Sequence, residues 1–306
     1  MPPATHLRKE IAVRVKYAFI CGEEGNYAVD KMCRWSKVSS SGYYEWRGRG
    51  PSASELRRRQ LAILVEWSFK DSDGTYGYRR IQAHLARVGH LADPETIRLL
   101  MRSLGLIACQ PRPWRPTTTV AGDASSTPDL VNRDFTSDSP ATKLVGDITY
   151  IRTWEGWLYL ATVLDCHTKQ VVGYAMADHL RTSLIIDALT MAARKITIRP
   201  DITIFHSDRG CQYTSQEFAD ITNKLHIRRS LGRTGTCYDN AWAESFNGTL
   251  KNERVNRTIY PTREHARIDI SRYIELRYNQ KRLHSALGYI TPNEAEENWF
   301  EKNPAA

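Results

Sequence analysis

Three apolar, β-branched segments follow one another between residues 143 and 177, and they limit the fold more than any other feature of the chain. They read KLVGDITYIRT (143–153), LYLATVLDC (158–166) and KQVVGYAMA (169–177), with short turns at WEGW and HTK. Tight turns can join antiparallel strands, whereas parallel strands need a long crossover. The segments therefore predict three consecutive antiparallel strands.

The pattern then alternates between helix and strand. Residues 181–195 and 216–226 are expected to be helices, 201–208 is expected to be a strand and 227–231 a short strand. A further helix begins at about Asn240, with Asp239 expected as its N-cap. The order βββαβαβα predicts an α/β fold with a mixed sheet.

The first 106 residues have helical periodicity instead. Helices are expected over 27–38 and 56–70, and serines at 39–41 are expected to cap a helix between them. In 76–106 one helix is followed by Asp93 and Pro94, which begin a second. Its core spacing is set by Ile97, Leu100, Met101 and Leu104. Two such helices are typical of a helix-turn-helix on DNA, or of a helical hairpin with solvated arginines. The outward arginines would be Arg79, Arg80, Arg87, Arg98 and Arg102.

All of the excess positive charge lies in the first part of the chain. Residues 1–120 contain 20 lysines and arginines against 11 acidic residues, and residues 121–306 contain 23 of each. This division is typical of a polyanion-binding region attached to a neutral domain, or of a mild basic excess for solubility. No apolar run approaches the ~20 residues of a membrane span. The six scattered cysteines favour reduced thiols over disulfides or a zinc site.

Three acidic residues stand out in the second part. Asp147 lies inside an apolar strand, where aspartate is disfavoured, and Asp208 ends the fourth strand. Glu244 lies on the helix from about residue 240, opposite the apolar side chains, with Asn240 and Lys251 on the same face. If the first and fourth strands are neighbours, the three carboxylates converge. Three carboxylates repel one another unless a cation is present, and oxygen ligands suit Mg²⁺ or Mn²⁺.

These residues and their surroundings resemble a known family. GDITYI, HSDRGCQYTS, DNAWAESFNGTLKNE and YNQKRLHSALGYITPNEAE are similar to segments of bacterial insertion-sequence transposases of the Asp-Asp-Glu, retroviral-integrase-like superfamily, whose enzyme is translated from two overlapping frames. GYRRIQAHL and LMRSLGL resemble the helix-turn-helix region upstream of their catalytic core. The resemblance runs from about Tyr17 to Pro292.

The resemblance implies a ribonuclease H-like fold, which is an α/β mixed sheet preceded by an all-α helix-turn-helix region. It implies four parts: a basic helical DNA-binding region (1–115), a linker (116–142), an integrase-like catalytic core (143–255) and a C-terminal helical extension (256–306). It further implies a DNA transposase that cleaves strands and transfers them. Asp147, Asp208 and Glu244 would be catalytic and would hold two Mg²⁺ or Mn²⁺ ions.

The resemblance also implies contacts and partners. Lys251 is expected on a phosphate, Asn240 on DNA or beside Glu244, and Arg79, Arg80, Arg98 and Arg102 on DNA. Arg282 belongs to a stripe that faces DNA or is a solvated helix face. The expected partners are the element's terminal inverted repeats, target DNA, further copies of the chain on DNA, and an upstream-frame protein or fusion. The expected location is the bacterial cytoplasm, at the nucleoid, with no membrane.

Two alternatives stay open at the level of sequence. One is an element-encoded DNA-binding regulator with an inactive core, which would act through residues 76–106. The other is a ribonuclease H-like nuclease without joining activity. All three functions share one fold, so the site has to separate them.

Overall fold

The computed structural model describes residues 12–109, 127–232 and 240–304. Residues 116–126 of the expected linker, Cys237 and the expected N-cap Asp239 lie outside these ranges. The chain divides into two compact units, Met1–Ile63 and Leu64–Ala306.

The first unit has a small helical core. It contains α1 (Val13–Gly22), α2 (Val29–Trp35), α3 (Ser40–Gly48) and the beginning of α4 (Ala53–Asp71). The Ser39 side chain accepts a hydrogen bond from the Gly42 amide, which confirms the expected serine cap of α3. The buried side chains of this core are Tyr17, Ile20, Met32, Cys33 and Tyr43.

Two packed helices open the second unit after α4. They are α5 (Tyr78–Arg87) and α6 (Pro94–Ser103). Asp93 caps α6 by accepting from the Thr96 amide (2.9 Å), and this confirms the predicted helix start. Leu104 was expected in the core but is exposed, because α6 ends at Ser103 and the chain turns away there.

A five-stranded mixed sheet forms the centre of the second unit. The strands are β1 (Lys143–Thr153), β2 (Gly156–Asp165), β3 (Val171–Ala177), β4 (Ile204–Ser207) and β5 (Arg228–Leu231). Their order is β3-β2-β1-β4-β5. β1, β2 and β3 pair antiparallel, as predicted. β4 pairs in parallel with β1, and β5 pairs in parallel with β4.

Helices cover both faces of the sheet. α7 (Thr182–Lys195) and α8 (Gln216–Lys224) pack on one face, and α9 (Ala241–Glu253), α10 (Arg263–Arg272) and the π-helical segment Tyr273–Asn279 pack on the other. Short 3₁₀ turns follow at Val255–Arg257 and Ser285–Leu287, and α11 (Pro292–Lys302) comes last. Among the described residues, no helix combines the length and apolar character needed to cross a membrane.

The segment before β1 was expected to be part of a linker. Over 127–142 the described chain forms neither helix nor strand, and it lies against the sheet. Leu130 N donates to Ser230 Oγ (2.8 Å), and Ala141 N donates to Asp165 Oδ2 (2.6 Å). Asp165 also accepts the amides of residues 167 and 168, so this buried carboxylate caps a turn.

Candidate active site

Asp147 and Asp208 lie on neighbouring parallel strands. Asp147 is in the middle of β1, and Asp208 directly follows β4. The β1–β4 register pairs Val145 with His206, so continuing it by two residues places Asp147 beside Asp208. The first and fourth strands are therefore neighbours, which was the condition for these carboxylates to converge.

Helix α9 lies along β1 because two of its amide side chains bond to that strand. Asn240 Nδ2 donates to the carbonyl O of Gly146 (3.1 Å), and Asn247 Nδ2 donates to Asp147 Oδ2 (2.8 Å). Glu244 lies between the two asparagines at helical spacing, so it shares their side of α9. The pair of hydrogen bonds thus sets the position of Glu244 relative to Asp147.

Asp208 and Glu244 lie close enough to Asp147 to affect its protonation. Burial raises the pKa of Asp147 to about 7, and the charges of Asp208 and Glu244 add to the rise. The Ile148 amide and the Asn247 side chain oppose it, because they hydrogen-bond the ionised form. Burial also raises the pKa of Glu244, with a further contribution from Asp208. The three acids that the sequence singled out are therefore within electrostatic range of one another, and their joint action at one site stays a prediction.

The donor set suits a hard divalent cation. Carboxylate oxygens are the ligands that Mg²⁺ and Mn²⁺ prefer, and a cation would offset both the cost of burying the Asp147 charge and the repulsion from Asp208 and Glu244. Beside Asp147, the buried Oδ1 of Asn247 has no hydrogen-bond partner. Within the described ranges, no three acidic, histidine or cysteine side chains are close enough to form a metal cluster as they stand. The chemistry of these residues fits the ion, and its coordination stays a prediction.

Lys251 lies two turns beyond Glu244 on α9. Its Nζ is 4.7 Å from the centre of the Tyr150 ring on β1. Burial lowers the pKa of Lys251, and the charge of Asp147 opposes this shift. A half-buried ammonium near the carboxylates is suited to a phosphate of a bound strand.

Asn240 lies at the beginning of α9 and is only 6% exposed, because its amide is directed towards the backbone of β1. Its position supports the strand that carries Asp147. The expected contact of Asn240 with DNA or with Glu244 stays a prediction.

Two of the arginines expected on the DNA-facing surface are directed inward. Arg80 Nε donates to the carbonyl O of Leu283 (3.1 Å), and its guanidinium lies over the Tyr76 ring. Arg282 is 5% exposed and forms a 2.8 Å ion pair with Glu253 on α9. The outward orientation expected for Arg80, and the surface position considered for Arg282, are both wrong, because each has a partner far away in sequence.

The other expected arginines are exposed. Arg79 and Arg102 lie on the surface of α5 and α6. Arg98 is also exposed and pairs with Glu95 of the same helix (2.6 Å). An exposed pair of this kind stabilises little and leaves the guanidinium free to exchange partners.

Sequence reasoning missed Asn247, although it bonds directly to Asp147. It lies three residues after Glu244 and is buried. The sequence did contain a signal for Asn247. The spacing of Ala243 and Leu250 shows which side of α9 faces the sheet, and Asn247 is a polar side chain on that side. A polar group at such a place needs a partner, and the strand carboxylate is that partner.

Three family models match the chain. Residues 137–237 and residues 225–292 match two models described as integrase core domain, and residues 55–114 match an HTH-like domain. Together with the observed sheet and the helices that precede it, these matches confirm an integrase-type, ribonuclease H-like core after an all-α region.

Several relatives match almost the whole chain. The 31 kDa protein of insertion element IS600 from Shigella sonnei is 38% identical over 271 residues, which cover 88% of this chain and 99% of that protein. The transposase InsF for insertion sequence IS3A from Escherichia coli is 35% identical over 284 residues, which cover 92% and 98%. Among solved structures, the HTLV-2 integrase catalytic core domain in complex with magnesium is 18% identical with a TM-score of 0.41, over 51% of this chain and 97% of that one. The chain belongs to the family of insertion-sequence transposases that includes InsF.

Proposed function

We propose that this transposase cuts and joins DNA strands at the site formed by Asp147, Asp208 and Glu244. The observation that supports this proposal best is that two parallel strands and α9 place three carboxylates within electrostatic range of one another. Burial, together with the charges of Asp208 and Glu244, raises the pKa of Asp147 to about 7. We propose that these side chains hold Mg²⁺ or Mn²⁺, as two ions.

Each side chain has a separate task in this proposal. Asp147 and Asp208 offer oxygen ligands from β1 and from the end of β4, and Glu244 offers them from α9. When bound, the divalent ions supply charge stabilisation for the attacking and leaving oxygens of an in-line phosphoryl displacement. Asn247 holds Asp147 Oδ2 in one orientation. Lys251 binds a phosphate of the strand that is being cut or joined.

The attacking group decides which reaction occurs. With water as the attacker, the site nicks a DNA strand; with a DNA 3′-hydroxyl, it joins two strands. Neither reaction needs a covalent nucleophile on the protein, because the displacement occurs at phosphorus in one step. One site can therefore perform cleavage and strand transfer.

The basic first part of the chain is proposed to bind the element's ends. Arg79, Arg98 and Arg102 are exposed on α5 and α6, and the match to an HTH-like domain over residues 55–114 supports their role. The proposed division is a DNA-binding region (1–115), a linker (116–142), a core (143–255) and a C-terminal extension (256–306). The excess of nine positive charges within residues 1–120 supports the first of these assignments.

The assembly that acts on DNA is also a proposal. Joining requires two element ends and a target to be held together, so we expect a dimer or larger assembly of this chain on its terminal repeats. We expect it to act at the bacterial nucleoid, together with an upstream-frame protein or as a fusion with it. Light scattering of the chain with and without end DNA measures the first of these expectations.

A strand-transfer assay tests the catalytic proposal. Labelled duplexes copied from the element's borders are incubated in Mg²⁺ with wild-type protein, Glu244→Gln and the matched control Glu217→Gln, an exposed glutamate on α8. Glutamine preserves size and removes charge. We expect Glu244→Gln to lower joining by at least about 100-fold, which corresponds to a few kcal/mol of transition-state stabilisation.

The control and the binding measurement decide what each outcome means. Glu217→Gln should join like wild type, and Glu244→Gln should still bind end DNA. Joining by Glu244→Gln at the wild-type rate contradicts the proposed site. Binding without joining by wild type, even with the upstream-frame protein added, contradicts the proposed activity and favours a regulator.

A further inference from the structure

A concave site lies near the end of α9 that is farther from Glu244. It is a groove of about 450 Å³ between the β1–β2 hairpin and the end of α9, within the size range of small-ligand sites. We call it the hairpin groove. The residues that matter for its chemistry are Tyr150, Arg152, Trp154, Trp157, Lys251 and Ile259.

The hairpin groove exposes large aromatic rings. Trp154 is 76% exposed, Tyr150 57% and Trp157 46%. The Tyr150 and Trp157 rings meet edge to face, with their centroids 5.2 Å apart. Three partly or largely exposed aromatic rings around one concave site mark a binding surface rather than scattered exposed residues.

The hairpin that carries these rings is anchored to the segment after α9. Trp154 N donates to the carbonyl O of Tyr260 (3.1 Å). Arg263 binds the hairpin twice, because its amide donates to Glu155 Oε2 (2.8 Å) and its Nε donates to the carbonyl O of Trp157 (3.0 Å). A ligand would meet a surface that is already formed, which reduces the entropy lost on binding.

The charge of the hairpin groove identifies the kind of ligand. Arg152 and Lys251 line it, and no carboxylate lines it within the described part of the chain. Lys251 Nζ lies over the Tyr150 ring, so cation and aromatic face are presented together. Cations beside exposed aromatic rings complement a nucleotide, whose phosphate is anionic and whose base has a flat π-face.

The distance from the hairpin groove to the carboxylates is similar along α9 and along β1. Lys251 is seven residues after Glu244 on α9, which is about 10 Å along a helix. Tyr150 is three residues after Asp147 on β1, which is about 10 Å along a strand. Its side chain leaves the opposite face of the strand from Asp147, but Lys251 of α9 reaches its ring, so the hairpin groove is accessible from the α9 side. Successive nucleotides of one strand rise ~3.4 Å along a duplex axis, so the interval corresponds to about three nucleotides if the DNA end keeps that rise up to the unstacked base.

We propose that the hairpin groove binds an unstacked base of the DNA strand that runs from the carboxylate site, about three nucleotides from the reacting phosphate. The base stacks on the Trp154 and Trp157 side of the groove, and Lys251 contacts the adjoining phosphate. This inference rests on the proposed function and adds a second contact to it, which distinguishes unpaired from paired DNA near the reacting end.

Binding of short oligonucleotides provides the first test. Fluorescence anisotropy compares a fluorescein-labelled 12-nucleotide oligo(dT) with an oligonucleotide of equal length and charge that carries abasic sites. The full chain is used as wild type, Trp154→Ala, Trp154→Phe and the control Phe300→Ala, an exposed aromatic residue on α11. Trp154→Ala should weaken oligo(dT) binding between about 5-fold and about 150-fold. Binding of the abasic oligonucleotide should not change, and Trp154→Phe should restore most of the affinity.

Strand transfer provides the positional test. A single abasic site is moved through the first six nucleotides from the reacting phosphate of an end duplex. Wild type should lose activity most when the missing base is at about the third nucleotide, and Trp154→Ala should be indifferent to that site, because ring and base form one coupled pair.

Three outcomes would overturn the inference. In the first, Trp154→Ala loses as much affinity for the abasic oligonucleotide as for oligo(dT). In the second, Trp154→Ala binds DNA like wild type but self-associates differently. In the third, the abasic-site scan of strand transfer has the same profile in wild type and Trp154→Ala. None of these affects the carboxylate proposal, because that proposal depends on Glu244→Gln. A failure of Glu244→Gln to stop joining leaves the oligonucleotide test intact, so the two proposals fail separately.

Discussion

The buried ion pair between Arg282 and Glu253 gives the sharpest prediction about stability. The two side chains are 6% and 4% exposed, and the guanidinium contacts the carboxylate at 2.8–3.0 Å. The Tyr273 hydroxyl also donates to Glu253 Oε2 (2.8 Å). In Arg282→Met the glutamate keeps only the tyrosine, and an uncompensated buried charge costs about 3–5 kcal/mol of unfolding free energy.

The double variant separates charge from packing. Replacing both partners, as in Arg282→Met with Glu253→Met, removes the two charges together, so we expect stability within about 1 kcal/mol of wild type or above it. Urea unfolding followed by circular dichroism at a common pH measures all of the variants, with free energies from linear extrapolation. A loss below about 1 kcal/mol in Arg282→Met, or a double variant as unstable as the single one, would refute the reasoning. Lower DNA affinity at unchanged stability would instead restore Arg282 as a surface contact.

Three further predictions follow from single contacts. Asn247→Ala removes the donor to Asp147 Oδ2, so we expect joining to fall about 10- to 100-fold and the Mg²⁺ requirement to rise, as an Mg²⁺ titration of strand transfer would show. Gly173→Ala would place a Cβ 2.3 Å from the Ala188 carbonyl O and force β3 away from α7. Urea unfolding should show that this variant loses more than about 2 kcal/mol of unfolding free energy. The control Gly248→Ala should lose none, because its Cβ would meet nothing within 4 Å. Burial, with the charges of Arg282, Arg80 and Lys169, lowers the pKa of His284 to about 2. In the unfolded chain a histidine binds a proton below pH ~6.5, whereas His284 in the folded protein stays neutral. The contribution of His284 to the free energy of unfolding is therefore complete above that pH and falls by up to about 1.4 kcal/mol for each pH unit below it. Urea unfolding between pH 7 and pH 5 should show that His284→Asn removes this part of the pH dependence of stability.

Periodicity predicted the core because its elements bury apolar side chains at regular intervals. The β1–β3 meander and the following helices came from such spacing, and short turns left only antiparallel pairing for the meander. The acids were predicted for the opposite reason, since Asp147 interrupts an apolar strand and Glu244 lies opposite an apolar stripe. Local pattern is sufficient where burial itself creates the signal.

Pairing over long sequence distances was not predictable in the same way. Arg282 was placed on the surface because nothing near it in sequence shows that Glu253 is buried on α9. The role of Asn240 was left open between DNA and Glu244, because its partner is a backbone carbonyl, which has no sequence signature. Asn247 was missed for a related reason: its importance comes from the strand that α9 happens to face. A polar side chain is assigned correctly only when its partner is known.

Helix α9 relates the carboxylate site to the hairpin groove. Its first half is tied to β1 through Asn240 and Asn247, and its last residue, Glu253, is tied to Arg282. Because a helix held at both ends keeps its rise, Glu244 and Lys251 stay about 10 Å apart along α9. A DNA strand that binds here would contact the carboxylate site and the hairpin groove at one fixed interval. Breaking the distant ion pair in Arg282→Met should therefore broaden the abasic-site profile of strand transfer without abolishing it, whereas Trp154→Ala should remove the preferred position altogether. That difference would show that α9 sets the distance between the two sites and that the hairpin provides the contact with the base.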